Sequence, residues 1–239
     1  MRSAFHDQLD LISEQLVELS RLSARALNRA TQALLEGDLS LAEQVITEDD
    51  AIDALRRECD NRAIDALARQ QPVATDLRQL VTTLRMTSDL ERSGDLARHV
   101  AKLTRMRYPD PVLPEELRET FKEMAQVAEQ MVLRAGEIVA TKDVRGAAEL
   151  TERDDIIDRL HREVFRILLE PRFASQSQQV VIDATLLSRY YERFADHAVA
   201  VAVRIVYLVT GTWQDDEPEV PGREWREHHA NGAVPRAEQ

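Results

Sequence analysis

The feature that most constrains this chain is where its helix breakers fall. Proline, glycine and turn-forming polar residues gather at "EGDLS" (36–40), "QQPVATD" (70–76), "YPDPVLPEE" (108–116), "TKDVRG" (141–146), "EPRFASQSQ" (170–178) and "GTW" (211–213), with almost nothing disruptive between them. That punctuation predicts six helices of about 27 to 36 residues. Rods of that length are stable when they pack side by side, so the expected class is all-α, a bundle of long antiparallel helices. Only 5% of the chain is aromatic and only 7 residues are glycine, which suits helix packing built on Leu, Val, Ile and Ala.

A chain of 239 residues that is 44% hydrophobic can bury a substantial core, in one large unit or two smaller ones. Its formal net charge of −12 argues against a nucleic-acid partner, because affinity for phosphates comes mostly from a basic surface. The single cysteine, Cys59, permits no internal disulfide and reads as a buried structural thiol in a reducing compartment. The opening "MRSAFHDQLDLISEQL" is amphipathic from the start and lacks the apolar centre of a secretion signal. The longest apolar stretch, "AVAVAVRIVYLV" (198–209), contains Arg204 and is too short to span a bilayer. A cytoplasmic protein, peripheral to a membrane at most, is therefore expected. From residue 212 onward Pro218, Pro221 and Pro235 and many charges mark a disordered acidic tail, 212–239. Its Trp225, His228 and His229 could make a docking segment, but a solvated extension is the simpler expectation.

The chain also repeats itself. "ITEDDAIDAL" (46–55) resembles "LTERDDIIDRL" (150–160), and one offset of 105 residues carries Asp49 to Asp154 and Asp53 to Asp158. "LERSGDLA" (90–97) matches "YERFADHA" (191–198), with Glu91 to Glu192 and Asp95 to Asp196 sharing an offset of 101. Two tandem, pseudo-symmetric three-helix bundles follow, at residues 1–108 and 109–211, with the prolines of "YPDPVLP" as the hinge between copies.

Each unit thus carries two acid-x-x-x-acid pairs: Asp49/Asp53 and Glu91/Asp95, then Asp154/Asp158 and Glu192/Asp196. One turn apart on a helix, like charges repel by about 0.2–0.5 kcal/mol. In an antiparallel hairpin turning near Pro72, residues 51 and 93 lie level, so the four acids of the first unit can converge. The same holds for the second unit, whose turn falls in "RFASQSQ". On a helical wheel Glu192 and Asp196 interrupt the stripe of Val181, Thr185, Val199, Val203 and Val206, and Glu91 and Asp95 continue that of Leu77, Leu80, Val81 and Leu84. Charges in such a stripe need partners. Either Arg92, Arg98, Arg189 and Arg193, all within three residues, form salt bridges with them, or the clusters hold metal ions.

Carboxylates are hard ligands that suit magnesium, manganese, calcium or iron, with zinc possible. His161 falls on the Asp154/Asp158 face and could add a nitrogen, whereas His99 and His197 are less well placed. Gly94 and Ala195, inside the motifs, would let a neighbouring helix or ion approach. Catalysis finds little support. A di-iron oxidase would want Glu-x-x-His on two helices, and only Asp158-x-x-His161 approximates it; there is no phosphate-cradling glycine loop and no nucleophile with a base.

The order, duplication and spacing of "EDDAID" (48–53), "DLERSGDLA" (89–97), "RDDIID" (153–158) and "RYYERFADHA" (189–198) resemble the PhoU family of bacterial phosphate regulators, over residues 1–211. The family's third-helix motifs commonly read Glu-Arg-Ile-Gly-Asp; here Ser93 replaces the apolar residue in one and Phe194-Ala195 replaces Ile-Gly in the other, while the acids are kept. The resemblance implies a non-enzymatic adapter at the cytoplasmic face of the membrane, linking the ATPase subunit of a phosphate ABC transporter to a sensor histidine kinase. It implies restraint of the response when phosphate is plentiful, a homodimer, and iron or zinc clusters on the acidic motifs. Two other readings stay open: a metal-dependent enzyme with carboxylate-bridged ions, and a helical adapter of another transporter whose acids are salt-bridged and hold no metal.

Overall fold

In the computed structural model, which describes residues 2–173 and 176–212, six long helices follow one another: α1 (Arg2–Glu36), α2 (Leu39–Gln70), α3 (Ala74–Arg107), α4 (Glu115–Thr141), α5 (Val144–Leu168) and α6 (Gln178–Thr210). A short 3-10 turn, Pro171–Phe173, precedes the last. Among the described residues, each predicted break falls between two helices or at the end of α6. The one departure in length is α5, which at 25 residues stops short because Pro171 disfavours helix in the residue before it. The tail expected over 212–239, with Trp225, His228 and His229, lies outside the described residues apart from Thr212.

The repeat is written into the turns as well. Gly37 and Lys142, at the 105-residue offset, both take left-handed backbone at φ 67° and 54°. The aspartate that follows each caps the next helix: Asp38 accepts from the Leu41 amide and Asp143 from the Gly146 amide, each at 2.9 Å. Such a cap contributes about 1 kcal/mol and fixes where the helix begins.

Short turns make neighbouring helices antiparallel, and their apolar stripes then choose partners. α1, α3, α6 and α4 form a ring, each packing on the next, with α2 laid against α1 and α3 and α5 against α4 and α6. The two three-helix units therefore share one continuous core. The proline segment between them is anchored in that core by Val112 and Leu113, both buried. At the centre the Tyr191 hydroxyl meets Thr31 Oγ1 at 2.7 Å, and its ring lies edge-on to Phe121. Gly136 lets α4 approach α1, since a Cβ there would come within 2.1 Å of Ser20 Oγ.

Two ion-pair groups tie α3 to α6. Arg107 donates to both carboxylate oxygens of Asp183 at 2.5 and 3.0 Å. Arg204 donates to Asp89 at 2.7 Å, with His197 Nδ1 3.4 Å from the other oxygen. Burial would raise the Asp89 carboxyl, but the hydrogen bonds from His197 and Arg204 outweigh it and hold it below the usual range.

Candidate functional site

The outer hairpins, α2–α3 and α5–α6, carry the acidic pairs. On the first hairpin the α2 pair Asp49/Asp53 and the α3 pair Glu91/Asp95 lie within electrostatic reach of one another, Asp95 and Asp53 both acting on Asp49 and on Glu91. Gly94 makes this possible: a Cβ there would lie 2.7 Å from Ile52 Cδ1 and 3.5 Å from Asp49 Oδ1, so the glycine is where α2 seats against α3. Asp49 is buried, at 5% exposure, while Asp53, Glu91 and Asp95 are half-buried.

Positive charge sits among these acids. Arg98 places Nη1 2.7 Å from Asp49 Oδ2 and donates Nη2 to Asp95. Arg57 lies 3.9 Å from Asp53. Burial raises the Asp49 carboxyl, Arg98 opposes it, and Asp95 and Asp53 add to it. Burial and then Asp95 raise Glu91, with Arg56 opposing. Arg56 is itself held 3.3 Å from Asp60, whose other oxygen accepts from Thr87 Oγ1 at 2.6 Å.

On the second hairpin the acids are likewise within electrostatic reach, Asp196 and Asp158 acting on both Asp154 and Glu192, but the balance of charge differs. Burial first, and then Asp196, Asp158 and Asp155, push Asp154 up to about 7. Among the described residues no cation pairs with Asp154, and its Oδ1 is buried without a hydrogen-bond partner. Glu192 is 3% exposed; burial and then Asp196 push it up to about 7 against the pull of Arg189. Arg189 donates to Oε1 alone, leaving Oε2 buried and unpartnered. Asp196 is raised by burial with Arg193, 3.9 Å away, opposing. His161 Nδ1 is also buried and unpartnered, and burial followed by Arg189 lowers the imidazole below its ordinary value, keeping it neutral at pH 7.

The residues that create this difference were legible only by extending the repeat. At the 105 offset Arg56 aligns with His161, and at the 101 offset Arg98 aligns with Val199, which is buried in the core. The salt-bridge partners named from sequence behave unequally: Arg98 joins both helices of the first hairpin, Arg189 and Arg193 stay on α6, and Arg92 is exposed. His99 packs against Tyr190, and His197 belongs to the Asp89 group. Cys59 is buried as expected, and burial pushes its thiol up to about 12. A shallow groove between α1 and α2, lined by Leu22, Arg25, Arg29, Glu48 and Ile52, touches the first acidic face only at Asp49.

Chemically, the second face offers what a hard divalent cation requires: anionic oxygens, two of them buried and unpaired, beside a neutral imidazole. The first face fits such an ion poorly, because Arg98 already bridges its two helices. Among the described residues no three His, Cys, Asp or Glu side chains are yet gathered as a ligand set. Nor, among them, is any helix long and apolar enough to cross a membrane.

Comparison with known proteins bears on both hairpins. The PhoU domain matches twice, over residues 16–104 and 121–205. The chain is 45% identical over 222 residues to phosphate-specific transport system accessory protein PhoU homolog 1 of Mycobacterium leprae, covering 93% of this chain and 99% of that protein. It is 46% identical over 213 residues to PhoU homolog 2 of Mycobacterium tuberculosis, covering 89% and 100%. Among solved structures, PhoU from Pseudomonas aeruginosa superposes with a TM-score of 0.75 at 29% identity, covering 87% of this chain and 100% of that one. The phosphate transport system regulatory protein PhoU from Streptococcus pneumoniae gives 0.78 at 25% identity, covering 88% and 99%.

Proposed function

The chain belongs to the PhoU family, and on that premise we propose that it is an accessory regulator of a phosphate-specific transport system. In this reading it works in the cytoplasm as a homodimer, contacts the ATPase subunit of a phosphate ABC transporter and a sensor histidine kinase, and restrains uptake and starvation signalling when phosphate is plentiful. It performs no catalytic step of its own. The observation that carries the reading is the double PhoU match, one on each three-helix unit, together with identity that runs the length of both mycobacterial relatives.

A cation belongs to the same proposal. Asp154, Asp158, Glu192 and Asp196, with His161 beside them, would hold iron, zinc, manganese or magnesium by turning their side chains to a common point. The ion would offset the burial, and after it the repulsion among the acids, that push Asp154 and Glu192 up to about 7. Its role would be structural, fixing α5 against α6.

The regulatory reading is tested by deleting the gene and following phosphate uptake and phosphate-responsive expression across rich and starved media. Derepressed expression and uptake in rich medium, restored by the full chain in trans, are expected. Unchanged behaviour in every regime, in a strain with no paralogue, would end it.

A further inference from the structure

We infer that on the first acidic face the guanidinium groups of Arg98 and Arg56 stand in for an ion, so that only the second face binds a divalent cation. This rests on the cation reading above and narrows it to one of the two faces. The two faces descend from one repeat and keep the same four acids, so the difference must come from what surrounds them. Arg98 spans from α3 to α2, within 2.7 Å of Asp49 and hydrogen-bonded to Asp95, which is the bridging task an ion would perform between the two helices. Arg56, held 3.3 Å from Asp60, adds a second positive charge that opposes the negative charge around Glu91. An ion entering there would meet a resident cation already on its ligands, and the repulsion between like charges at such distances is several kcal/mol wherever water is partly excluded.

On the second face both guanidinium groups are gone. Val199 stands at the Arg98 position as a core residue, and His161, a neutral nitrogen donor, stands at the Arg56 position. The remaining arginines, Arg189 and Arg193, are about half exposed, and the ion pairs they form with these acids are within α6. They leave the 3%-exposed Glu192 with one oxygen unpartnered, Asp154 without a cation, and His161 Nδ1 unpartnered. Asp49 Oδ2 on the first face is also buried without a hydrogen bond, but Arg98 Nη1 stands 2.7 Å from it. On the second face Asp154 Oδ1, Glu192 Oε2 and His161 Nδ1 are unpartnered, and among the described residues no arginine forms an ion pair from one helix to the other, which marks this face as the one that takes an ion.

The test uses the full chain, stripped with chelator, exchanged into buffer, incubated separately with manganese(II), zinc(II) and anaerobic iron(II), desalted, and analysed for metal by mass spectrometry. Four proteins are compared: the parent, Asp49→Asn/Glu91→Gln, Asp154→Asn/Glu192→Gln, and Arg56→Gln/Arg98→Gln, each checked for helix content by circular dichroism. Stoichiometric metal on the parent and the first-face variant, its loss in the second-face variant, and additional metal in the double-arginine variant are the expected results. Should Asp154→Asn/Glu192→Gln misfold, the half-buried Asp158→Asn takes its place. Metal on the parent that is lost in Asp49→Asn/Glu91→Gln overturns this assignment while leaving the cation reading intact. No metal on any of the four overturns the cation reading, and this assignment with it.

Discussion

On the α2–α3 hairpin, one guanidinium reaches across from α3 and joins Asp49 to Asp95; on the α5–α6 hairpin, the matched position is Val199, turned into the core, and the arginines that pair with the acids, Arg189 and Arg193, do so within α6. A duplicated unit has thus kept its carboxylates and let their counter-charge diverge. Retained acids alone do not say what a face does. The electrostatic state of a cluster depends as much on the residue one turn beyond the motif as on the motif itself.

The largest effect that would break this comparison is the loss of Arg98. Arg98→Leu leaves Asp49 buried and facing Asp95 uncompensated. Breaking a fully buried pair costs about 3–5 kcal/mol; with Arg98 about a quarter exposed, roughly 2–3 kcal/mol in urea denaturation is expected after allowing for solvent screening. Adding Asp49→Asn should recover most of it. Arg189→Ala, on the second face, removes a side chain that is 48% exposed and should cost no more than about 1 kcal/mol. Equal losses for the two arginines would mean that the faces are electrostatically alike.

Next is the dependence on pH. Asp154 and Glu192 rise from ordinary values of 3.8 and 4.5 to about 7 in the folded chain. Between those limits the folded state holds protons that the unfolded state has released, so their contribution to stability is complete below about pH 4 and is lost as pH rises through about 7. Metal-free parent minus Asp154→Asn, compared by urea denaturation at stepped pH, should therefore show a difference that turns against the parent on going from pH 4 to 7. A flat difference would mean that Asp154 already has a counter-charge. Added cation should reverse the trend.

A smaller effect separates the helix contacts beneath the faces. Gly94 and Ala195 are matched at the 101 offset, yet a Cβ at Gly94 would press on Ile52 at 2.7 Å, whereas Ala195 already seats its own Cβ in a fully buried position. Ala195→Gly should cost about 1 kcal/mol from helix propensity alone. Gly94→Ala gains that same propensity and gives it back to the clash with a flexible Ile52 end, so its net change should lie within about 1 kcal/mol of zero. Pairing it with Ile52→Val should make it stabilising in thermal melts.

How much of this the sequence revealed follows from the range of each interaction. The six helices and their turns were legible because Gly37, Pro72, the prolines at 109–114 and the Asp38 and Asp143 caps act locally. The convergence of the acids was legible too, since hairpin geometry fixes which residues lie level. The pairing of α3 with α6 through Asp89–Arg204 and Asp183–Arg107 was not: it joins residues 115 and 76 positions apart, and no periodicity within a helix reports it. Nor was the inequality of the two faces, although its signal was present. Carrying the offsets a turn past each motif sets Arg56 against His161 and Arg98 against Val199.

The smallest expected effect tests whether divergence is confined to the faces. Cys59 and Val164 are matched at the 105 offset, one on α2 and one on α5, and both are fully buried. If the interiors of the two hairpins are still interchangeable, Cys59→Val should shift stability by less than about 1.5 kcal/mol, the range for near-isosteric swaps in a packed core. The parent thiol, pushed up to about 12 by burial, should meanwhile alkylate slowly in the native protein and quickly in urea. A core that rejects valine at position 59 would show that the units have diverged in packing as well as in charge, and the contrast between Arg98 and Val199 would then be one part of a general drift instead of a change confined to the two acidic faces.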